Sequence, residues 1–119
     1  MTELTPALQF LVGEPVSGVS FVMDYVELHF NGSYLRLLEP PTIHLRAQPA
    51  TAFPATGSRD ALCTLIHATL EAITADEDGE LRASFSNGAS VSATLAHAVR
   101  RSPEALHFRN QATGETQYW

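Results

Sequence analysis

The chain contains no lysine; its seven basic residues are Arg36, Arg46, Arg59, Arg82, Arg100, Arg101 and Arg109. That removes the phosphate-gripping lysine of a P-loop, Schiff-base chemistry and a lysine general base. Cysteine occurs once, at Cys63. No intramolecular disulfide can form, and a small buried thiol in a reducing, cytoplasmic setting is expected. No apolar run approaches the roughly 18 residues of a membrane helix. The opening Met1-Thr2-Glu3-Leu4-Thr5-Pro6 lacks the basic stretch of a secretory signal. The motifs G-x-S-x-G, G-x-G-x-x-G and the Walker sequence are all missing, which leans against an enzyme. The five histidines, His29, His44, His67, His97 and His107, show no metal-ligand spacing, and no second cysteine exists. Neither a metal nor a cofactor is therefore expected.

What is present suits one globular domain of 119 residues. Hydrophobic residues make up 45% and charged ones 17%, a balance that excludes disorder. Thirteen acidic residues against seven arginines give a net charge of −6. Such a chain repels phosphate backbones, and Arg100-Arg101 with Arg109 is too small a basic cluster for a nucleic-acid partner. The 16 alanines and arginine-only basicity go with a GC-rich bacterial genome.

The most informative feature is internal similarity. At an offset of 54, Leu8, Leu11, Val12, Val16 and Val19 fall on Leu62, Leu65, Ile66, Leu70 and Ile73. One residue more brings Val26, Leu28 and Phe30 onto Leu81, Ala83 and Phe85, and each half then reaches Asn-Gly, at Asn31-Gly32 and Asn87-Gly88. Each half reads as a short helix followed by three strands. In the first, Thr5 caps, Pro6 takes the first helical position, Leu8, Leu11 and Val12 form the buried stripe, and Gly13 ends the helix. In the second, Ser58 caps, and Leu62, Leu65 and Ile66 form the stripe. Each helix is too short to stand alone and must pack on a sheet.

The strands are expected at Val16 to Val22, Tyr25 to Phe30 and the segment after Asn31-Gly32. A two-residue Asn-Gly turn sets Leu28 opposite Leu35, Val26 opposite Leu37, Glu27 opposite Arg36 and His29 opposite Tyr34, with one apolar and one polar face. In the second half a strand spans Leu70 to Ala75, and Asp76-Glu77-Asp78-Gly79 turns. That acidic turn resembles part of a calcium loop but lacks the later bidentate Glu, and reads as a solvated turn. A three-residue Ser86-Asn87-Gly88 loop pairs Phe85 with Ala89 and Ala83 with Val91, keeping one face apolar.

The expected fold is α+β. Two tandem half-repeats, about 4–46 and 58–100, share pseudo-twofold symmetry in a mainly antiparallel sheet or open barrel. Between them, Pro40 to Arg46 is expected to form an edge strand leaving the sheet, and 47–57 a Pro/Ala/Thr connector. A hairpin over 102–119, turning at Thr113-Gly114, closes the chain; Ser102-Pro103-Glu104 begins it. Tyr118 and Trp119 are expected to dock on the domain's own core.

One constellation has chemical interest: Glu27, His29, Tyr34 and Arg36, with Tyr25, on the polar face of the first hairpin. Arg36 would orient an anionic group and His29 would titrate. The same residues serve equally as cross-strand partners on a wet face.

The runs Asp24-Tyr25-Val26-Glu27-Leu28-His29-Phe30-Asn31-Gly32, Leu81-x-Ala83-x-Phe85-x-Asn87-Gly88 and Pro103-Glu104-Ala105-Leu106-His107-Phe108 resemble small uncharacterised bacterial domains. Some proteins of that appearance accompany toxin systems as immunity proteins, and the resemblance implies no catalytic residue. The leading expectation is a non-catalytic protein-binding module, of immunity type by that resemblance. A small-ligand binder or enzyme at the first hairpin and a purely structural homodimer joined through edge strands are the alternatives.

Overall fold

The computed structural model describes residues 4–76, 78–98 and 103–119. These residues form two short helices, α1 (Leu4–Leu8, continued by a 3-10 turn at Gln9–Leu11) and α2 (Ser58–Cys63). The strands are β1 (Gly18–Val22), β2 (Tyr25–Phe30), β3 (Ser33–Leu37), β4 (Thr42–His44), β5 (Thr51–Ala52), β6 (Leu70–Ala75), β7 (Glu80–Phe85), β8 (Ser90–Thr94), β9 (Leu106–Arg109) and β10 (Thr116–Tyr118). They build two five-stranded antiparallel sheets, ordered β1-β2-β3-β9-β10 and, read from its far edge, β6-β7-β8-β4-β5. Each sheet is thus a three-strand meander completed by two strands from a distant part of the chain, β9–β10 for the first and β4–β5 for the second. The sheets do not close into a barrel.

Local chemistry sets the registers. Asn31 (φ 51°) and Gly32 (φ 102°) occupy the left-handed region that a two-residue hairpin demands. Val26 then faces Leu37, Glu27 faces Arg36, Leu28 faces Leu35 and His29 faces Tyr34, as the alternation requires. In the second hairpin Ala83 faces Val91. The Phe85 N–H donates to the Ala89 carbonyl at 2.9 Å, closing the three-residue loop, while Asn87 Oδ1 accepts from the Ala89 N–H at 3.0 Å.

The inner faces of both sheets and the buried sides of the helices share one core, in which Leu8, Leu11, Val26, Leu62, Leu65, Leu81 and Leu106 are fully buried. α1 lies against β6, and α2 against β1, β4 and β5. A seam joins the halves. Gly13 N–H donates to the Leu70 carbonyl (2.8 Å), Leu70 N–H to Glu14 (3.0 Å), Val16 N–H to Ala68 (2.8 Å) and His67 N–H to Val16 (2.9 Å), around a Pro15–Thr69 bridge.

Several expectations change. β4 is no edge strand: it lies between β5 and β8, because Ile43, 1% exposed, pairs with both Val91 and Thr51. The 47–57 connector carries β5 and buries Phe53, whose N–H donates to the Pro41 carbonyl at 2.9 Å; the Phe53–Pro54 peptide is cis. The first strand begins at Gly18, two residues later than expected, since Pro15 and Val16 are spent on the seam. α1 starts ahead of Thr5, whose side chain lies outside the described part. Gly57, not Ser58, precedes α2; Ser58 is its first residue, with a buried and unpartnered Oγ. Leu62 near the end of α2 and Leu65 in the turn after it both point inward, so Cys63 between them is exposed rather than buried. Val12 is likewise 37% exposed. Trp119 packs on the core, whereas Tyr118 points outward. Glu77, Arg100, Arg101 and Ser102 lie outside the described residues.

Candidate functional site

Alternation along the strands of the first sheet sends one set of side chains away from the core. On β2 these are Tyr25, Glu27 and His29; on β3, Tyr34 and Arg36; on β1, Ser20. The partner strands set His107 beside Arg36 and Tyr118 beside His107. All three tyrosines of the chain therefore stand on this one face.

The side chains form a continuous network. Arg36 Nε donates to Glu27 Oε2 at 2.6 Å, and Arg36 Nη1 lies 3.2 Å from His107 Nδ1. His107 Nε2 is 3.1 Å from Glu104 Oε1, and its ring meets Tyr118 edge-on at 4.5 Å. The Arg36 guanidinium lies 5.0 Å from the Tyr34 ring centre and 5.5 Å from that of Tyr25. His29 Nε2 is 3.0 Å from Ser20 Oγ and 3.4 Å from Glu27 Oε1. The Glu27 carboxylate is only 12% exposed and Arg36 26%. Burial by itself pulls the Arg36 guanidinium down. The hydrogen bond and charge of Glu27, helped by Tyr34 and Tyr25, outweigh it and hold the group above its ordinary value.

The fold thus brings together all four residues singled out in the sequence, Glu27, His29, Tyr34 and Arg36. It adds Ser20, His107, Glu104 and Tyr118, which sequence reading missed. The outward placement of His107 and Tyr118 was legible in the alternation of their strands. Which strand β9 would join was not, because that depends on a crossover between halves.

The chemistry available is limited by geometry. A hydroxyl, an imidazole and a carboxylate meet at Ser20, His29 and Glu27, but Ser20 and Glu27 approach the same ring nitrogen. An acid–imidazole–nucleophile relay needs them on opposite nitrogens. Two of the Arg36 nitrogens are engaged by Glu27 and His107, so the guanidinium is held as a fixed, stacked plate. Two depressions lie elsewhere. One of about 330 Å³ is lined by Thr74, Arg82, Ser84, Ser90 and Ser92 on the outer face of the second sheet. Another of about 470 Å³ runs between α1 and the β9–β10 hairpin, past Phe10, Phe108, Glu115 and Gln117. No described helix is long and apolar enough to cross a membrane. No known protein family matches the chain, and neither a curated protein nor a solved structure shows significant similarity to it.

Proposed function

We propose that this chain is a non-catalytic protein-binding module and that the outer face of its first sheet is the recognition surface. The supporting observation is the concentration of Tyr25, Tyr34, Tyr118 and Arg36, with His29 and His107, on one sheet face. Tyrosine and arginine are enriched among the few residues that carry most of the binding energy in protein interfaces. Arg36 is already clamped by Glu27 and two rings, so little conformational freedom is lost on association. The second sheet folds with serine and threonine at most of the matching positions, so the sheet itself does not need the large groups.

The finer reading is an antagonist of immunity type. An exposed free thiol at Cys63 suits a reducing cytoplasm. The tandem sequence match, together with equal strand order in the two sheets, supports two copies of one unit related by a pseudo-twofold.

The test is retention on the immobilised chain, with neighbouring gene products of the native host as candidates. A protein held by the parent and by Ser84→Ala/Ser92→Ala, yet lost with Tyr34→Ala/Tyr118→Ala, supports the reading. Retention indifferent to the tyrosines, or none at micromolar concentration, defeats it. Light scattering separates the remaining case, a purely structural homodimer joined through edge strands.

A further inference from the structure

The seam between the halves maps onto itself. Exchanging halves at the offset of 54 turns the Gly13-to-Leu70 hydrogen bond into the His67-to-Val16 bond, and the Leu70-to-Glu14 bond into the Val16-to-Ala68 bond. The Pro15–Thr69 bridge maps onto itself. His67 (φ 78°) keeps the left-handed backbone of its counterpart Gly13 (φ 92°), a conformation uncommon outside glycine.

The same correspondence extends past the meanders, into segments with no visible sequence likeness. Leu35 and Val91 are counterparts, since Leu28 pairs with Leu35 and Ala83 with Val91. β9 sets Phe108 on Leu35, and β4 sets Ile43 on Val91. Phe108 then pairs with Gln117, and Ile43 with Thr51. Two residues beyond Thr51 and Gln117 stands an aromatic, Phe53 in the core and Trp119 packed against it. The Phe53 N–H donates to the Pro41 carbonyl (2.9 Å), and the Trp119 N–H to the Leu106 carbonyl (2.8 Å). Pro41 and Leu106 each lie two residues before Ile43 and Phe108. The β4–β5 segment and the C-terminal hairpin thus occupy equivalent places in register, hydrogen bonding and final aromatic.

We infer that the copied unit includes its arm, β4–β5 in one copy and β9–β10 in the other, and that the chain is an arm-exchanged dimer fused through residues 54–57. The free edge of a meander's third strand is accordingly a docking site whose occupant is the arm of a second unit. This rests on the two-copy reading proposed above and extends it to the whole described chain.

The test is a circular permutant. New ends are opened between Ala55 and Thr56, and Trp119 is joined to Met1 through one glycine. Four residues then separate Trp119 from Leu4, as Pro54 to Gly57 separate Phe53 from Ser58. This permutant should keep the parent's amide NMR pattern and melt within about 5 °C of it, a shift of order 1 kcal/mol. A second permutant carries a twelve-residue Gly/Ser join. If only that one folds, the arms are not equivalent and the inference falls, while the two-copy reading survives. If neither folds, the parent cut at a protease site inserted in 54–57 decides. Halves that stay bound one-to-one and refold together from urea support the exchanged arms; halves that part overturn both readings.

Discussion

Outward-facing positions of the first sheet carry Tyr25, Glu27, His29, Tyr34, Arg36, His107 and Tyr118. In strand order and register, the corresponding positions of the second carry Glu80, Arg82, Ser84, Ser90, Ser92, Thr42 and Ala52. Inward, the two sheets stay alike: Val26 and Leu81, Phe30 and Phe85, Leu35 and Val91 are all buried. Core positions keep their apolar character because removing volume there leaves a cavity. Outer positions have no such restraint, and small residues on the second sheet leave the shallow depression over Ser84 and Ser92. Tyrosines stand on the outer face of the first sheet, where the matching positions of the second carry Glu80, Ser90 and Ala52.

The sharpest way to break the comparison is in the core. Leu8→Ala and Leu62→Ala, both at fully buried counterpart positions, should each cost about 3 kcal/mol in urea unfolding. A cost below about 1 kcal/mol for one of them would show that the halves carry unequal loads. Next come the two arginines. Arg36→Ala strands the mostly buried Glu27 carboxylate and should cost about 1–2 kcal/mol. Arg82→Ala removes an exposed pair with Glu80 and should stay within about 0.5 kcal/mol. Remaking the first face in the image of the second, by Tyr34→Ser with Tyr118→Ala, should cost less than about 1 kcal/mol while abolishing partner retention.

The smallest effect concerns pH. A cation held above its ordinary value in the fold stabilises at every pH below that value, and loses the contribution only as pH rises through it. For a guanidinium this lies beyond the working range, so the stability gap between parent and Arg36→Ala should stay flat from about pH 6 to 10. A gap that closes toward alkaline pH would mean that a tyrosine or histidine, not Arg36, carries the network.

Much of each meander was legible because its information is local. Asn-Gly turns fix φ, alternation fixes faces, and the two together left a single register for Leu28 and Leu35 and for Ala83 and Val91. The four residues of the first hairpin were found for the same reason. What escaped were partnerships between distant segments. Thr42–His44 looks like a strand leaving a sheet, and nothing in its own residues names β8 as its neighbour. Phe53 sits in a Pro/Ala/Thr run whose composition conceals a buried anchor. His107 and Tyr118 joined the site only because β9 crosses to β3. Cys63 was misplaced because a short stripe leaves open which neighbour of Leu62 turns outward.

Because β3 waits for β9, the first sheet is unfinished until residues 106–118 have left the ribosome. During synthesis the amino-terminal segment therefore emerges with the β3 edge open, and β9 reaches that edge only later. An open strand edge of that kind is a template on which another polypeptide can pair until the hairpin docks.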